Sequence, residues 1–115
     1  MNTHSIGVAG EDLAVKYLSK HKYKILERNF RCKFGEIDII AFNEGFITFV
    51  EVKSRSDEKF GLPREAVSPY KQQRIASAAQ YWLYTNKLVG RSVRFDVVEI
   101  LSGKVNVLKD AFRPQ

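Results

Sequence analysis

At 115 residues the chain is long enough for one hydrophobic core and too short for two, so residues 1–115 are expected to form a single domain. Lys and Arg total 19 against 13 Asp and Glu, a formal net charge of +6 that favours a polyanionic partner. No apolar run can span a bilayer, the first residues lack a signal-peptide core, and the lone Cys32 excludes an intrachain disulfide and cysteine-rich zinc sites. A cytoplasmic protein with no membrane partner is therefore expected.

From Ile6 to His21 the residues Ile6, Ala9, Leu13, Ala14, Tyr17 and Leu18 recur at helical spacing, predicting an amphipathic first helix. Glu11 projects within about 20° of Leu18 and so edges the buried stripe, whereas Asp12 and Lys16 look toward water. Two readings of Glu11 stand: an acid aimed inward, or a first-turn acid favoured by the helix dipole. His4 and His21 lack the spacing of a metal pair or a catalytic triad and read as solvated.

Tyr23 to Cys32 alternates loosely and carries Lys24, Arg28 and Arg31, as a charge-dressed edge strand would. Two apolar runs follow, Gly35 to Ala41 and Phe46 to Lys53, separated by the turn signal Asn43-Glu44-Gly45. They predict an antiparallel hairpin with carboxylates where a sheet ordinarily places Val or Ile. A two-residue or four-residue loop sets Asp38 opposite Glu51 and Ile40 near Phe49; a three-residue loop brings Val50 there instead. Alternation independently puts Glu51 and Lys53 on one face. Carboxylates opposed across a sheet repel, and among Ile40, Ile47 and Phe49 they also lose hydration. A bound divalent cation answers both charges and prefers hard oxygen ligands, so Asp38, Glu51 and Lys53 are candidates for a Mg²⁺ site with an ammonium beside it. The plain alternative is a solvated strand, because E-x-K recurs by chance.

Ser54 to Val67 has little periodicity, contains Gly61 and Pro63, and follows Lys53 directly. Two readings stand: a mobile substrate-facing flap with Arg55, Lys59 and Arg64 as phosphate contacts, which is the expectation, or a merely disordered insertion. Ser68-Pro69 signals a helix start, and Ile75, Ala78, Ala79, Trp82 and Leu83 define its buried face. Lys71 and Gln72 extend that face at its N-terminal end, either reaching the sheet's polar site or standing as frayed first-turn residues. Arg91 to Leu101 reads as a strand, turned by Ser102-Gly103 into a short last one, Lys104 to Leu108. Asp96 reads as a structural, half-buried acid satisfied by Arg94 or a backbone amide. The order αβββαββ predicts an α/β fold around one mixed sheet flanked by helices.

The strings GEIDIIA, FVEVKSR and FGLPREAV, then Lys71, a helix with Ala79 and Trp82, and RFDVVEI closely resemble the YraN-like family of small bacterial proteins. That family looks like part of the PD-(D/E)xK, or restriction-endonuclease-like, superfamily and is similar to archaeal Holliday junction resolvases. The match runs from about Gly10 to Ile100. It implies a restriction-endonuclease-like fold, with Asp38 as the metal-binding Asp, Glu51 as the second acid and Lys53 as the catalytic lysine. Resolvase-like members also use an acid on the first helix, which falls on Glu11. The residue before the Asp is Ile37 rather than Pro, a departure from the superfamily's motif.

The expected function is a nuclease dependent on Mg²⁺ or Mn²⁺ that hydrolyses DNA, branched or otherwise structured DNA in particular. Asp38, Glu51 and the Val52 carbonyl would hold the metal, with Glu11 assisting directly or through water. Arg55, Lys59, Arg64, Lys71 and Gln72 are the expected nucleic-acid contacts. A DNA-binding module on the same fold, and a scaffold for an acidic protein, are the competing readings. A homodimer stands open beside a monomer.

Overall fold

Helix α1 spans Thr3–Lys20 and presents Ala14 and Leu18, both fully buried, to one face of a sheet. The computed structural model describes residues 3–55 and 67–114, with side chains for 9–54 and 67–114. The sheet is formed by β1 Lys24–Cys32, β2 Gly35–Asn43, β3 Phe46–Arg55, β4 Val93–Leu101 and β5 Lys104–Leu108, while helix α2, Pro69–Thr85, precedes β4. Spatial order follows chain order, β1-β2-β3-β4-β5. All pairs are antiparallel except β3 with β4, whose parallel pairing is made possible by the α2 crossover. This is the mixed α/β sheet with the order αβββαββ anticipated above, and it is consistent with a restriction-endonuclease-like fold. No helix among the described residues is long and apolar enough to cross a membrane.

The two faces carry separate cores. On the α1 side, Ala14 and Leu18 pack with Tyr23, Ile39, Ala41, Val50, Val98 and Ile100. On the α2 side, Ile75, Ala78, Ala79 and Trp82 cover Ile37, Ile40, Ile47, Phe49 and Val97. Phe49 meets the Trp82 ring edge-on at 6.0 Å and stacks on Phe95 at 5.6 Å. The indole Nε1 of Trp82 donates to Glu27 Oε1 at 2.9 Å, anchoring α2 to the edge strand. α2 begins where expected: Ser68 is extended and its hydroxyl accepts from Lys71 N–H, with Pro69 at the first helical position.

Hairpin geometry sets the register of the centre. Glu44 and Gly45 form a two-residue loop with φ of 53° and 84°, the positive pair a type I′ turn requires. Asn43 pairs with Phe46 and Ile40 with Phe49, and the same register carried onward sets Asp38 opposite Glu51. Ser102 and Gly103, at φ 50° and 76°, repeat the device between β4 and β5.

Asp96 differs from its half-buried expectation. It is fully buried on the α1 face, and its carboxylate accepts from Arg94 Nε at 2.9 Å, Tyr23 hydroxyl at 2.7 Å and Asp110 N–H at 2.9 Å. Arg94 also donates to Asn43 and Glu44. Burial first, then the neighbouring Asp96 carboxylate, pushes the Tyr23 hydroxyl well above its ordinary value.

Candidate functional site

The site forms where the β2–β3 ladder ends. Pairing runs as far as Ile39 with Val50, and the next hydrogen bond is made by a side chain: Val52 N–H donates to Asp38 Oδ2 at 2.8 Å. Strand alternation breaks at the same point. Ile37 belongs to the core under α2 and Ile39 to the core under α1, although residues two apart on a regular strand share a face. Opposite Asp38 in the β1–β2 register, between the pairs Arg28 with Ile39 and Phe30 with Ile37, lies Asn29 at φ 54°. Asn tolerates that left-handed backbone better than most residues and disfavours strands, so it suits a local interruption.

Around Asp38 the charges are arranged unequally. Glu51 is 6% exposed and has two cations on one oxygen, Lys71 Nζ at 2.5 Å and Lys53 Nζ at 3.6 Å from Oε1. Burial is the largest cause that pushes the Asp38 carboxyl up to about 7; the Glu51 charge and, less strongly, Glu11 add to it. The Val52 N–H and Lys71 act in the opposite sense without overcoming it. Lys53 is held below its ordinary pKa by burial and by Lys71 beside it. Burial also works against the Lys71 charge, but its bond to Glu51 holds it above its ordinary value.

Glu11 is 9% exposed and faces inward, yet it is not a first-turn acid: α1 begins at Thr3, two turns earlier. The dipole reading is corrected accordingly. Its Oε1 accepts from Arg28 Nε at 3.1 Å and from Asn29 Nδ2 at 2.9 Å. Among the described residues, no three His, Cys, Asp or Glu side chains converge as a ready metal-holding group. The donor chemistry nevertheless fits a hard divalent cation: Asp38 and Glu51 offer charged oxygens, and the Val52 carbonyl belongs to the same segment. Asp38 retains its proton up to about 7 mainly because it is buried, with the Glu51 charge beside it; Lys71, whose contact is made to Glu51, offsets this only in part.

Of the other expected contacts, Lys71 reaches the site. Gln72 instead donates from Nε2 to the Val67 carbonyl at 2.9 Å, securing the chain ahead of α2. Lys59, Arg64 and the Arg55 side chain lie outside the described residues, as does most of the loop expected at the mouth. Two participants were missed in the sequence. Asn29 had a signal, an Asn inside a strand pattern, and Glu99 had none, because only the parallel register sets it beside Lys53.

The chain matches the model of the uncharacterised protein family UPF0102 over residues 10–100. It is 51% identical over 115 residues to a UPF0102 protein of Clostridium perfringens strain 13, covering 95% of this chain and 94% of that one. A UPF0102 protein of Caldanaerobacter subterraneus is 44% identical over 119 residues, covering 97% and 98% of the two chains. One from Geobacter metallireducens is 49% identical over 100 residues, covering 87% and 82%.

Proposed function

Since the chain belongs to the uncharacterised protein family UPF0102, and Glu11, Asp38, Glu51, Lys53 and Lys71 lie within the matched region, we propose that it is a metal-dependent endonuclease hydrolysing phosphodiester bonds in DNA, with branched or otherwise structured DNA as its substrate. The observation that carries this reading is the Asp38–Glu51 arrangement: two carboxylates, Glu51 buried and Asp38 partly so, at the end of a strand pair, with the Asp38 carboxyl pushed up to about 7 by burial and by the Glu51 charge.

Asp38, Glu51 and the Val52 carbonyl would hold Mg²⁺ or Mn²⁺, which when bound supplies an acidified water and a polarised phosphate oxygen. Lys53 donates to the phosphate oxygen on which negative charge builds, in a partly buried setting where that charge is poorly screened. Lys71, which contacts Glu51, would be available to a neighbouring phosphate were Glu51 to hold the metal. Glu11 acts as a positioning residue: it fixes Arg28 and Asn29 on the strand opposite Asp38. The basic surface supplies affinity that the carboxylates oppose.

A second reading, a DNA-binding module without chemistry, is favoured by the Lys71–Glu51 contact, which already neutralises one acid. The deciding experiment incubates purified protein with labelled duplex, single-stranded, flap and four-way DNAs in Mg²⁺, Mn²⁺ or EDTA. Metal-dependent cleavage that disappears in Glu51→Gln supports the nuclease. Salt-sensitive binding with no cleavage by the parent protein transfers the case to the binding module.

A further inference from the structure

A cleft of about 510 Å³ opens between the β1–β2 turn and the first turns of α2. Arg31 and Gly35 line it from the turn, and Tyr70, Lys71 and Arg74 from the helix. Lys71 is shared: it lines this cleft and bonds Glu51, so one side chain connects the cleft to the carboxylate site. The packing that shapes it is close, since a Cβ at Gly35 would lie 3.0 Å from the Arg74 carbonyl oxygen.

Its walls combine Lys71, Arg74 and the Arg31–Glu36 ion pair with the Tyr70 ring, and the rings of Phe34 and Tyr81 stand beside it. Tyr70 is 73% exposed, and Arg74 Cζ lies 5.9 Å from its ring centroid. In the two-residue turn, Phe34 is 39% exposed, with Lys33 Nζ 5.2 Å from its centroid and the Tyr81 ring 5.9 Å away. Tyr70, Arg74 and Tyr81 fall within about 40° of one another around α2, a stripe roughly 16 Å long. The Tyr70 ring in particular, left in water beside a cation, gains nothing for the core. Duplex DNA hides its base faces and offers such rings no partner, whereas an unpaired strand presents a ring and a phosphate at every nucleotide.

The geometry points to this cleft as a stacking platform for an unpaired nucleic-acid strand, which enters over Tyr70 and Phe34 and leads its phosphates past Arg74 and Lys71 toward Asp38 and Glu51. This rests on the nuclease reading of the carboxylates and narrows its substrate to DNA with a single-stranded arm at the cleavage position.

The test is fluorescence anisotropy in EDTA, with labelled oligothymidine and a blunt duplex as probes. Tyr70→Ala and Phe34→Ala should each weaken oligothymidine binding about tenfold while duplex affinity moves less than about threefold, because each removes one stacked base. Tyr70→Phe should bind like the parent, and so should Lys104→Ala, at the opposite edge of the sheet. Circular dichroism melts check that the variants fold; both aromatic positions are solvent-exposed. Unchanged oligothymidine affinity in the two alanine variants, or equal losses on both probes, would overturn the platform. Failure of the nuclease reading looks different: stacking-dependent binding persists, and the parent cuts no DNA in Mg²⁺ or Mn²⁺.

Discussion

Asp38→Asn removes the group for which folding is most costly near neutral pH. The carboxyl titrates near its ordinary 3.8 in the unfolded chain and at about 7 in the folded protein. Below about pH 4 both states hold the proton and the site imposes no penalty. As pH rises toward 7 the folded protein keeps a proton that the unfolded chain has released, and the penalty grows until it levels off above 7. The gap between 3.8 and about 7 sets an upper bound of roughly 4 kcal/mol, shared with the Glu51 pair, and the expected effect is about half of that, on the order of 2 kcal/mol. The amide retains an oxygen able to accept from Val52 N–H, so the local bond survives. Thermal melts followed by circular dichroism should therefore place Asp38→Asn roughly 8 °C above the parent at pH 8 and level with it at pH 4. Mg²⁺ should narrow the difference at pH 8 by stabilising the parent alone. A difference that is the same at pH 4 and pH 8, or a variant less stable than the parent at pH 8, would refute the electrostatic account of the site.

Glu51→Gln deletes a ligand and a negative charge, so DNA binding in EDTA should hold or tighten while metal-dependent cleavage collapses; Lys53→Ala should bind DNA almost normally and cleave on the order of 10²-fold slower in single-turnover assays. Arg94→Met leaves the Asp96 charge buried without its main partner and should lower the urea-unfolding free energy by about 3 kcal/mol, with little recovery in salt. Gly35→Ala should lower the melting temperature and loosen the α2 start, because the added carbon meets the Arg74 backbone rather than a flexible side-chain tip.

What was legible in the sequence is what depends on neighbours along the chain. Glu44-Gly45 dictates the turn, the turn dictates the pairing of Ile40 with Phe49, and the pairing carries Asp38 toward Glu51. Ser68-Pro69 starts α2 for equally local reasons. The long-range partners were hidden. The helix face turned Lys71 toward the polar site, but which acid it meets depends on where α2 crosses the sheet, and Glu11 meets Arg28 only because α1 lies across β1. Tyr23 finds Asp96 across 73 residues of sequence. The broken alternation at Asp38 could not be read from spacing either, since periodicity assumes a regular strand while Asn29 takes a left-handed backbone.

That irregular first strand also governs how copies of the protein behave when crowded. β1 is an outer strand, and a straight outer strand invites another chain to add itself by backbone pairing. Here a register shift between Ile25 and Glu27 and the left-handed backbone at Asn29 interrupt the row of free amides within nine residues, and the exposed Lys24 adds repulsion toward an identical strand. The opposite outer strand, β5, is only five residues long and starts at Lys104. Both margins of the sheet thus discourage fibrous stacking, so the interruption that accompanies Asp38 also guards the protein against self-polymerisation.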